Sequence, residues 1–179
     1  MNYWLALLEN LVQAIIFILP AYFANGSPVI GVKLLGRATP LDGGAKAWDG
    51  RRVLGEGKTI EGLIIGLSCG TAAGMVLLIS SSGVYRSGLE PFILSLGAMF
   101  GDVLGSFIKR RLGLKRGQPA PGLDQLGFLV CALLFSILAY GVPPWLDPIT
   151  LILLMLVTAL LHLGTNFLAY LFQLKKEPY

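Results

Sequence analysis

Two acidic residues in the second half of the chain flank a run of cations. Asp102 lies inside an apolar segment, and Asp124 follows it after five Lys or Arg residues and a turn that contains Pro and Gly. In a helix, Asp102, Ser106 and Lys109 would stand at i, i+4 and i+7 and share one face. A carboxylate in an apolar helix needs a partner. This stretch is therefore the first candidate for chemistry.

The two acids suit a divalent cation. Mg²⁺ typically takes one or two carboxylates and completes its shell with water and substrate phosphates. Asp102 and Asp124, facing a ring of Lys and Arg, predict a Mg²⁺ site with an anionic ligand. Two alternatives stay open: Asp102 can be a structural acid bonded to a neighbouring helix, and Asp124 can be an ordinary helix N-cap.

A second candidate site precedes the second apolar stretch. Lys58 and Thr59 stand where a helix would begin, and the free N–H groups and positive dipole of a first turn attract anions. Alternatively, Thr59 only caps the helix and Lys58 only extends to the membrane interface. A Walker A phosphate loop is excluded, because Arg52 stands where that motif requires Gly and no strand pattern precedes it.

The segment before Lys58 is rich in glycine and charge. It reads LDGGAKAWDGRRVLGEGKTIEG from Leu41, and its glycines let the backbone approach a ligand closely. Asp49, Arg51 and Arg52 are its candidate ligand contacts. A connection of this length without an apolar core tends to be functional or disordered, and its turn chemistry favours function.

The elements that must position these groups are membrane helices. Hydrophobic residues make up 55% of the chain, charged residues 13%, and the mean hydropathy is +0.73, which is far from the balance of a soluble domain. We expect one all-α membrane domain over residues 1–179, with loops at about 31–58 and 110–122. Five stretches are long enough to span a bilayer: roughly Leu5–Ala24, Ile60–Ile79, Phe92–Ile108, Leu123–Val142 and Ile149–Leu171.

The distribution of Lys and Arg predicts the orientation. Thirteen of the 14 lie before the second span, between the third and fourth, or after the fifth, and the positive-inside rule places that side in the cytoplasm. We therefore expect the amino terminus outside and the carboxyl terminus inside. The net charge of +4 is a topology signal and an attraction to anionic ligands, and it does not indicate nucleic-acid binding.

Glycines recur at every fourth residue in two spans. The second span has Gly62, Gly66, Gly70 and Gly74, and the third has Gly97, Gly101 and Gly105. Small residues at this spacing let membrane helices pack backbone to backbone. A tight pairing of the two spans would bring Lys58 near the inner end of the third.

A set of short motifs runs along nearly the whole chain: LDGG and DGRR within 41–52, GKT at 57–59, GD and SFIKRR within 101–111, PGLDQ from Pro121, and LH followed by N within 161–166. Taken together, these motifs resemble those of the CDP-archaeol synthases, archaeal membrane cytidylyltransferases that make CDP-activated ether lipids. A more distant similarity, to phosphatidate cytidylyltransferases, covers only the GKT segment and residues 101–124.

The resemblance implies Mg²⁺-dependent transfer of the cytidylyl group of CTP to an unsaturated archaeal diether glycerol phosphate, with release of pyrophosphate. Asp102 and Asp124 would hold Mg²⁺, while Lys58 and Lys109 would neutralise phosphate charge. A phosphate nucleophile is already ionised at neutral pH, so no strong general base is needed. The expected CTP contacts are Asp49, Arg51, Arg52, Gly57, Lys58, Thr59, Ser106, Gln125 and Asn166.

An ion-coupled transporter that uses Asp102 as a relay is the alternative from another functional class. The two halves of the chain do not mirror each other as transporter repeats do. All candidate groups also fall in the cytoplasmic half. Both observations favour the enzyme.

Overall fold

Five helices make up the computed structural model, which describes residues 3–80 and 83–174. Each is long and apolar enough to cross a membrane, so the prediction of an all-α membrane protein with five spans is confirmed. Within the described residues, β-structure is limited to two isolated bridges in one loop. The helices are α1 (Tyr3–Leu35), α2 (Ile60–Ser80), α3 (Glu90–Arg111), α4 (Leu123–Tyr140) and α5 (Pro148–Leu171).

The first loop is shorter than predicted, because α1 continues through residues 31–35. Gly31 packs so closely on α2 that an added Cβ would lie 2.8 Å from Ile65 Cδ1, and this contact stabilises the extra turn. Gly36, with a φ of +64°, then ends the helix in the left-handed conformation that glycine adopts without strain. The predicted loop 31–58 is thus wrong at its start, and the loop covers residues 36–59.

The second loop also begins later than the predicted residue 110. Helix α3 includes Lys109, Arg110 and Arg111 in its last turn, where cations interact favourably with the negative end of the helix dipole. Gly113, with a φ of +78°, follows directly. The loop therefore covers residues 112–122. The predicted cations after the last span, Lys175 and Lys176, lie outside the described residues.

The two glycine ridges are buried, but they pack against different neighbours and not against each other. An added Cβ at Gly101 would lie 2.5 Å from the carbonyl oxygen of Gly127 in α4. An added Cβ at Gly70 would lie 2.5 Å from the carbonyl oxygen of Pro20 in α1 and equally close to Ser95 Oγ in α3. Helix α2 is thereby held against α1 and α3, and α3 against α4.

Polar contacts close the end of the bundle that carries residues 83–89 and residues 141–147. Arg86 forms an ion pair with the fully buried Glu90, which also accepts a hydrogen bond from Ser136 Oγ at 2.7 Å. Asp147 caps α5 by accepting from Ile149 N and Thr150 N. These contacts fix the helices at one end and leave the glycine-rich loop and the cation run together at the other.

Candidate active site

Lys58 reaches the acid inside α3. Its ammonium lies 2.6 Å from Asp102 Oδ2, and both side chains are about three-quarters buried, with exposed fractions of 23% and 28%. Thr59 caps α2, since its hydroxyl accepts from Gly62 N at 3.0 Å. Of the two interpretations left open by the sequence, the cap is thus observed for Thr59, whereas Lys58 does more than extend to the interface.

Lys109 and Asp124 form a second pair of the same kind. The Lys109 ammonium lies 3.0 Å from both carboxylate oxygens of Asp124, which also accepts a hydrogen bond from Ala120 N at 2.8 Å. Asp124 stands in the first turn of α4, and Gly122 occupies the cap position. Asp124 therefore fixes the preceding turn and binds a cation on α3 instead of capping its own helix.

The two acid–lysine pairs lie on one side of α3. Asp102 and Lys109 are two turns apart on one helix face, about 10 Å along the axis, and the half-buried Ser106 lies between them. The close contact of Gly101 with α4 brings Asp124 alongside the same turns. In the described residues no group of three or more His, Cys, Asp and Glu side chains could hold a metal ion. The Mg²⁺ site at Asp102 and Asp124 stays a prediction.

Asp42 organises the first loop, a role that the sequence analysis did not assign. Its carboxylate accepts hydrogen bonds from Nε and Nη2 of Arg52 at 3.2 and 2.5 Å. It also accepts hydrogen bonds from the backbone N–H groups of Leu54 and Gly55 at 3.0 and 2.9 Å. The hydrogen bond from Arg52, and then these backbone N–H groups, hold the pKa of Asp42 well below its ordinary value of 3.8. Arg52 is thus bound to the protein, although it also lines the cavity described below.

A reciprocal pair of arginines attaches the loop to the end of α3. Arg51 Nη1 donates to the carbonyl oxygen of Arg111 at 2.7 Å, and Arg111 donates to Asp49 Oδ1 at 2.7 Å and to the carbonyl oxygen of Arg52 at 2.5 Å. We call these contacts the arginine clasp. Asp49 and Arg51, both expected to bind a ligand, are therefore held in the protein's own contacts.

A cationic cavity of about 360 Å³ lies between the clasp and the second loop. Five of the residues that line it are cations, and Glu56 is the one acidic residue among them. The Nε of Arg110, one of these five cations, is buried and has no hydrogen-bond partner among the described residues. The lining residues are Arg51, Arg52, Gly55, Glu56, Arg110, Gly113, Leu114, Lys115 and Arg116.

A second cavity of about 450 Å³ adjoins the first and shares Arg52, Glu56 and Arg116 with it. Its remaining lining is neutral and small: Ala38, Thr39, Pro40, Gly43 and Gly44. Gly57 lies beneath Arg116, where an added Cβ would be 3.7 Å from its Nε. Gly57 thus lies next to the cavity residue Arg116 and directly precedes Lys58, which contacts Asp102.

Gln125 and Asn166 make hydrogen bonds near their own helices, and their contact with CTP stays a prediction. Gln125 Oε1 accepts from Gly122 N at 2.6 Å and so caps α4. Asn166 Nδ2 lies 3.0 Å from Nδ1 of His162, whose ring stacks on Phe128 with centroids 6.4 Å apart. These contacts place Asn166 at the packing of α5 against α4.

Known proteins are similar to this chain over nearly its whole length. A family profile described as CarS-like, CDP-archaeol synthase, matches residues 7–179. The CDP-archaeol synthase of Thermococcus onnurineus is 48% identical over 176 residues, which cover 96% of this chain and 99% of that protein. The corresponding protein of Aeropyrum pernix is 46% identical and covers 96% of this chain and 94% of its own length. A solved structure described as an intramembrane enzyme for archaeal membrane lipids biosynthesis superposes with a TM-score of 0.77 at 43% identity, over 87% of this chain and 94% of that chain.

Proposed function

The chain belongs to the CDP-archaeol synthase family of CTP-dependent cytidylyltransferases, and from this premise we propose its substrates, its metal and its orientation. The lipid substrate is an unsaturated archaeal diether glycerol phosphate, and the products are CDP-archaeol and pyrophosphate. The observation that carries the proposal is the meeting of two acid–lysine pairs with a cationic cavity at one end of the bundle. Family membership decides against the ion-coupled transporter.

The reaction joins two anions. An oxygen of the lipid phosphate attacks the α-phosphorus of CTP, a new P–O bond forms there, and the bond to the β-phosphate oxygen breaks. The nucleophile carries no proton that must be removed, so charge neutralisation and alignment supply the catalysis. Lys58 and Lys109 supply positive charge directly beside the two acids.

The acids fit a Mg²⁺ ion. Both carboxylates already accept a cation, and Asp102 Oδ1 has no donor among the described residues, so it is free for a ligand bond. Asp102 and Asp124 would hold the ion, and the rest of its shell would come from water and phosphate oxygens. When bound, Mg²⁺ would withdraw charge from the phosphates and the leaving group.

The cationic cavity suits the departing pyrophosphate end of CTP. Arg110, with its buried and unpartnered Nε, and the exposed Lys115 and Arg116 supply donors that no carboxylate neutralises fully. The second cavity, whose unshared lining is small and neutral, has room for the nucleoside. CTP would then lie across the shared residues Arg52 and Glu56, with its α-phosphate toward Lys58.

We place this site at the cytoplasmic end of a multi-pass membrane protein, because thirteen of 14 Lys and Arg residues fall on that side. CTP would come from the cytoplasm and the lipid from the bilayer. The whole chain, residues 1–179, would act as one membrane domain.

The reaction itself provides the test. Purified protein in vesicles is given CTP labelled at the α-phosphate and a diether glycerol phosphate with unsaturated chains. We expect label in CDP-lipid with equal release of pyrophosphate, and complete loss of both on chelation of Mg²⁺ with recovery on its return. Folded protein that forms no CDP-lipid would contradict the substrate assignment, while turnover that survives chelation would contradict the metal assignment alone.

A further inference from the structure

Trp48 is an exposed aromatic residue in the first loop. Its side chain is 84% exposed, yet one edge packs against Phe107 of α3 with ring centroids 6.2 Å apart. The guanidinium of Arg111 lies 5.3 Å from the Trp48 ring centroid and 5.2 Å from that of Phe107. The indole is therefore held in a defined place while most of its surface is uncovered.

This place is on the far side of α3 from the acids. At about 100° per residue, Phe107 is about 140° and Arg111 about 180° around the helix from Asp102. The loop thus passes around the end of α3, with Lys58 on the acidic face and Trp48 on the opposite face. The exposed apolar residues Phe100 and Leu104, each about 160° around the helix from Asp102, continue that opposite face.

The depth of Trp48 follows from the length of α3. Its 22 residues extend about 33 Å, slightly more than the hydrocarbon core of about 30 Å. Phe107 lies four residues, or about 6 Å, from the last residue of the helix. In a bilayer that α3 crosses, this height corresponds to the boundary where the acyl chains meet the headgroups, the region in which tryptophan is enriched because its ring is apolar and its N–H is polar.

We propose that Trp48 is a membrane anchor, whose partner is the headgroup boundary of the bilayer that α3 crosses. The anchor is part of a short hairpin, since Ala47 N donates to the carbonyl oxygen of Arg51 at 2.8 Å and Lys46 forms a bridge with Arg52. Arg111 connects the hairpin to α3. Trp48 contacts the lipid and the arginine clasp binds the end of α3. Together these contacts hold the hairpin at a fixed height relative to the bilayer surface.

Tryptophan fluorescence tests the anchor without reference to catalysis. The chain has three tryptophans: Trp4 is 71% exposed and Trp145 is 5% exposed. A Trp4→Phe variant leaves Trp48 as the accessible fluorophore, and Trp4→Phe/Trp48→Phe is its matched control. Both are reconstituted in phosphatidylglycerol vesicles, with or without bromine atoms near the headgroup end of the acyl chains, and both are also titrated with aqueous iodide.

We expect brominated lipid to quench the Trp48 component, the difference between the two variants, by more than half, and iodide to quench it only weakly. Strong iodide quenching without quenching by brominated lipid would place Trp48 in water and overturn the proposal. A component that neither agent quenches would mean that protein, such as a second copy of the chain, covers the ring, and this outcome also overturns the anchor. Equal circular dichroism spectra establish that the two variants share one fold.

Discussion

Lys58 and Asp102 are joined by a contact of 2.6 Å between ammonium and carboxylate, although they are 44 residues apart in the chain. The contact connects the segment directly before α2 to the carboxyl-terminal half of α3. It places one charge of each sign at a depth where neither would be stable alone, because a charge taken out of water needs a partner. The pair also stands where the cation-lined loops meet the membrane.

The acids themselves provide the first prediction. Asp102→Asn and Asp124→Asn should each lower kcat by more than about a hundredfold, because even groups that only support metal ligands cost 10- to 100-fold when removed. The measurement is CDP-lipid formation at saturating CTP, Mg²⁺ and lipid. Asp147→Asn is the matched control, since Asn caps a helix as well as Asp does and this acid lies at the opposite end of the bundle. A folded Asp102→Asn or Asp124→Asn protein with half the normal rate would remove that acid from the site.

The arginine clasp provides the second prediction. Arg111→Lys keeps the charge but loses the planar fork that bonds Asp49 and the carbonyl oxygen of Arg52. We expect the KM for CTP to rise about tenfold or more, with a smaller change in kcat, because the loop that lines the cavity would loosen. Trypsin should also cleave the hairpin faster. Arg37→Lys, at an arginine whose side chain is 79% exposed, is the control. Unchanged KM and unchanged cleavage in Arg111→Lys would contradict a positioning role.

The fold was predictable where one physical signal dominates. The length of an apolar segment predicts a membrane helix, and all five were identified because a single segment of about 20 apolar residues satisfies its own backbone hydrogen bonds in lipid as a helix. The end of α1 was not predictable, since its last turn depends on how Gly31 fits against Ile65 in another helix. The glycine ridges predicted close packing, but spacing alone does not show which neighbour a ridge contacts.

The site was predictable in its residue types and less so in its pairings. Charged side chains beside apolar segments stand out in the sequence, because burying an unpaired charge costs free energy. The residues of this kind are Asp102, Asp124, Lys58 and Lys109. Asp42 was missed as an organiser, although an Asp before two glycines is a signal for a side chain that bonds to nearby backbone N–H groups. The clasp between Arg51 and Arg111 joins two loop-adjacent cations, and like charges give no sequence reason to expect contact.

Asp42 predicts a pH dependence of the first loop. Its pKa is lowered in the folded protein, so its contacts stabilise the loop fully above the ordinary carboxyl pKa of 3.8, and this contribution is lost as the pH falls below that value. We expect the amides of Leu54 and Gly55 to be protected from hydrogen exchange at neutral pH and to lose protection below about pH 4. Asp42→Asn should reduce protection at neutral pH and weaken its dependence on acid, with the Gly62 amide as an internal reference. Protection that stays the same in Asp42→Asn would contradict the role of this carboxylate.

The charge distribution predicts which loops face the cytoplasm. In a variant with Cys69→Ser and Cys131→Ala, a cysteine replacing Lys115 should escape an impermeant maleimide in intact cells and react after lysis. A cysteine replacing Gly88, where an added Cβ has only an ordinary contact of 3.8 Å with Leu78, should react in intact cells. The reverse labelling pattern would place the site on the outer side and contradict the access route for CTP.

The lipid chains provide the last prediction. The proposed diether lipid would lay its isoprenoid chains against the spans, whereas the chemistry occurs at the phosphate, so the chains would affect the rate only through fit. Chain fit is worth a few kcal/mol at most, and we therefore expect ester-linked phosphatidate to react about tenfold or more slowly than the unsaturated diether at equal bilayer fraction. Initial rates of CDP-lipid formation at saturating CTP measure the ratio. Slow turnover of phosphatidate agrees with the proposal, while equal rates for the two lipids would contradict the archaeal substrate and leave the cytidylyl transfer unaffected.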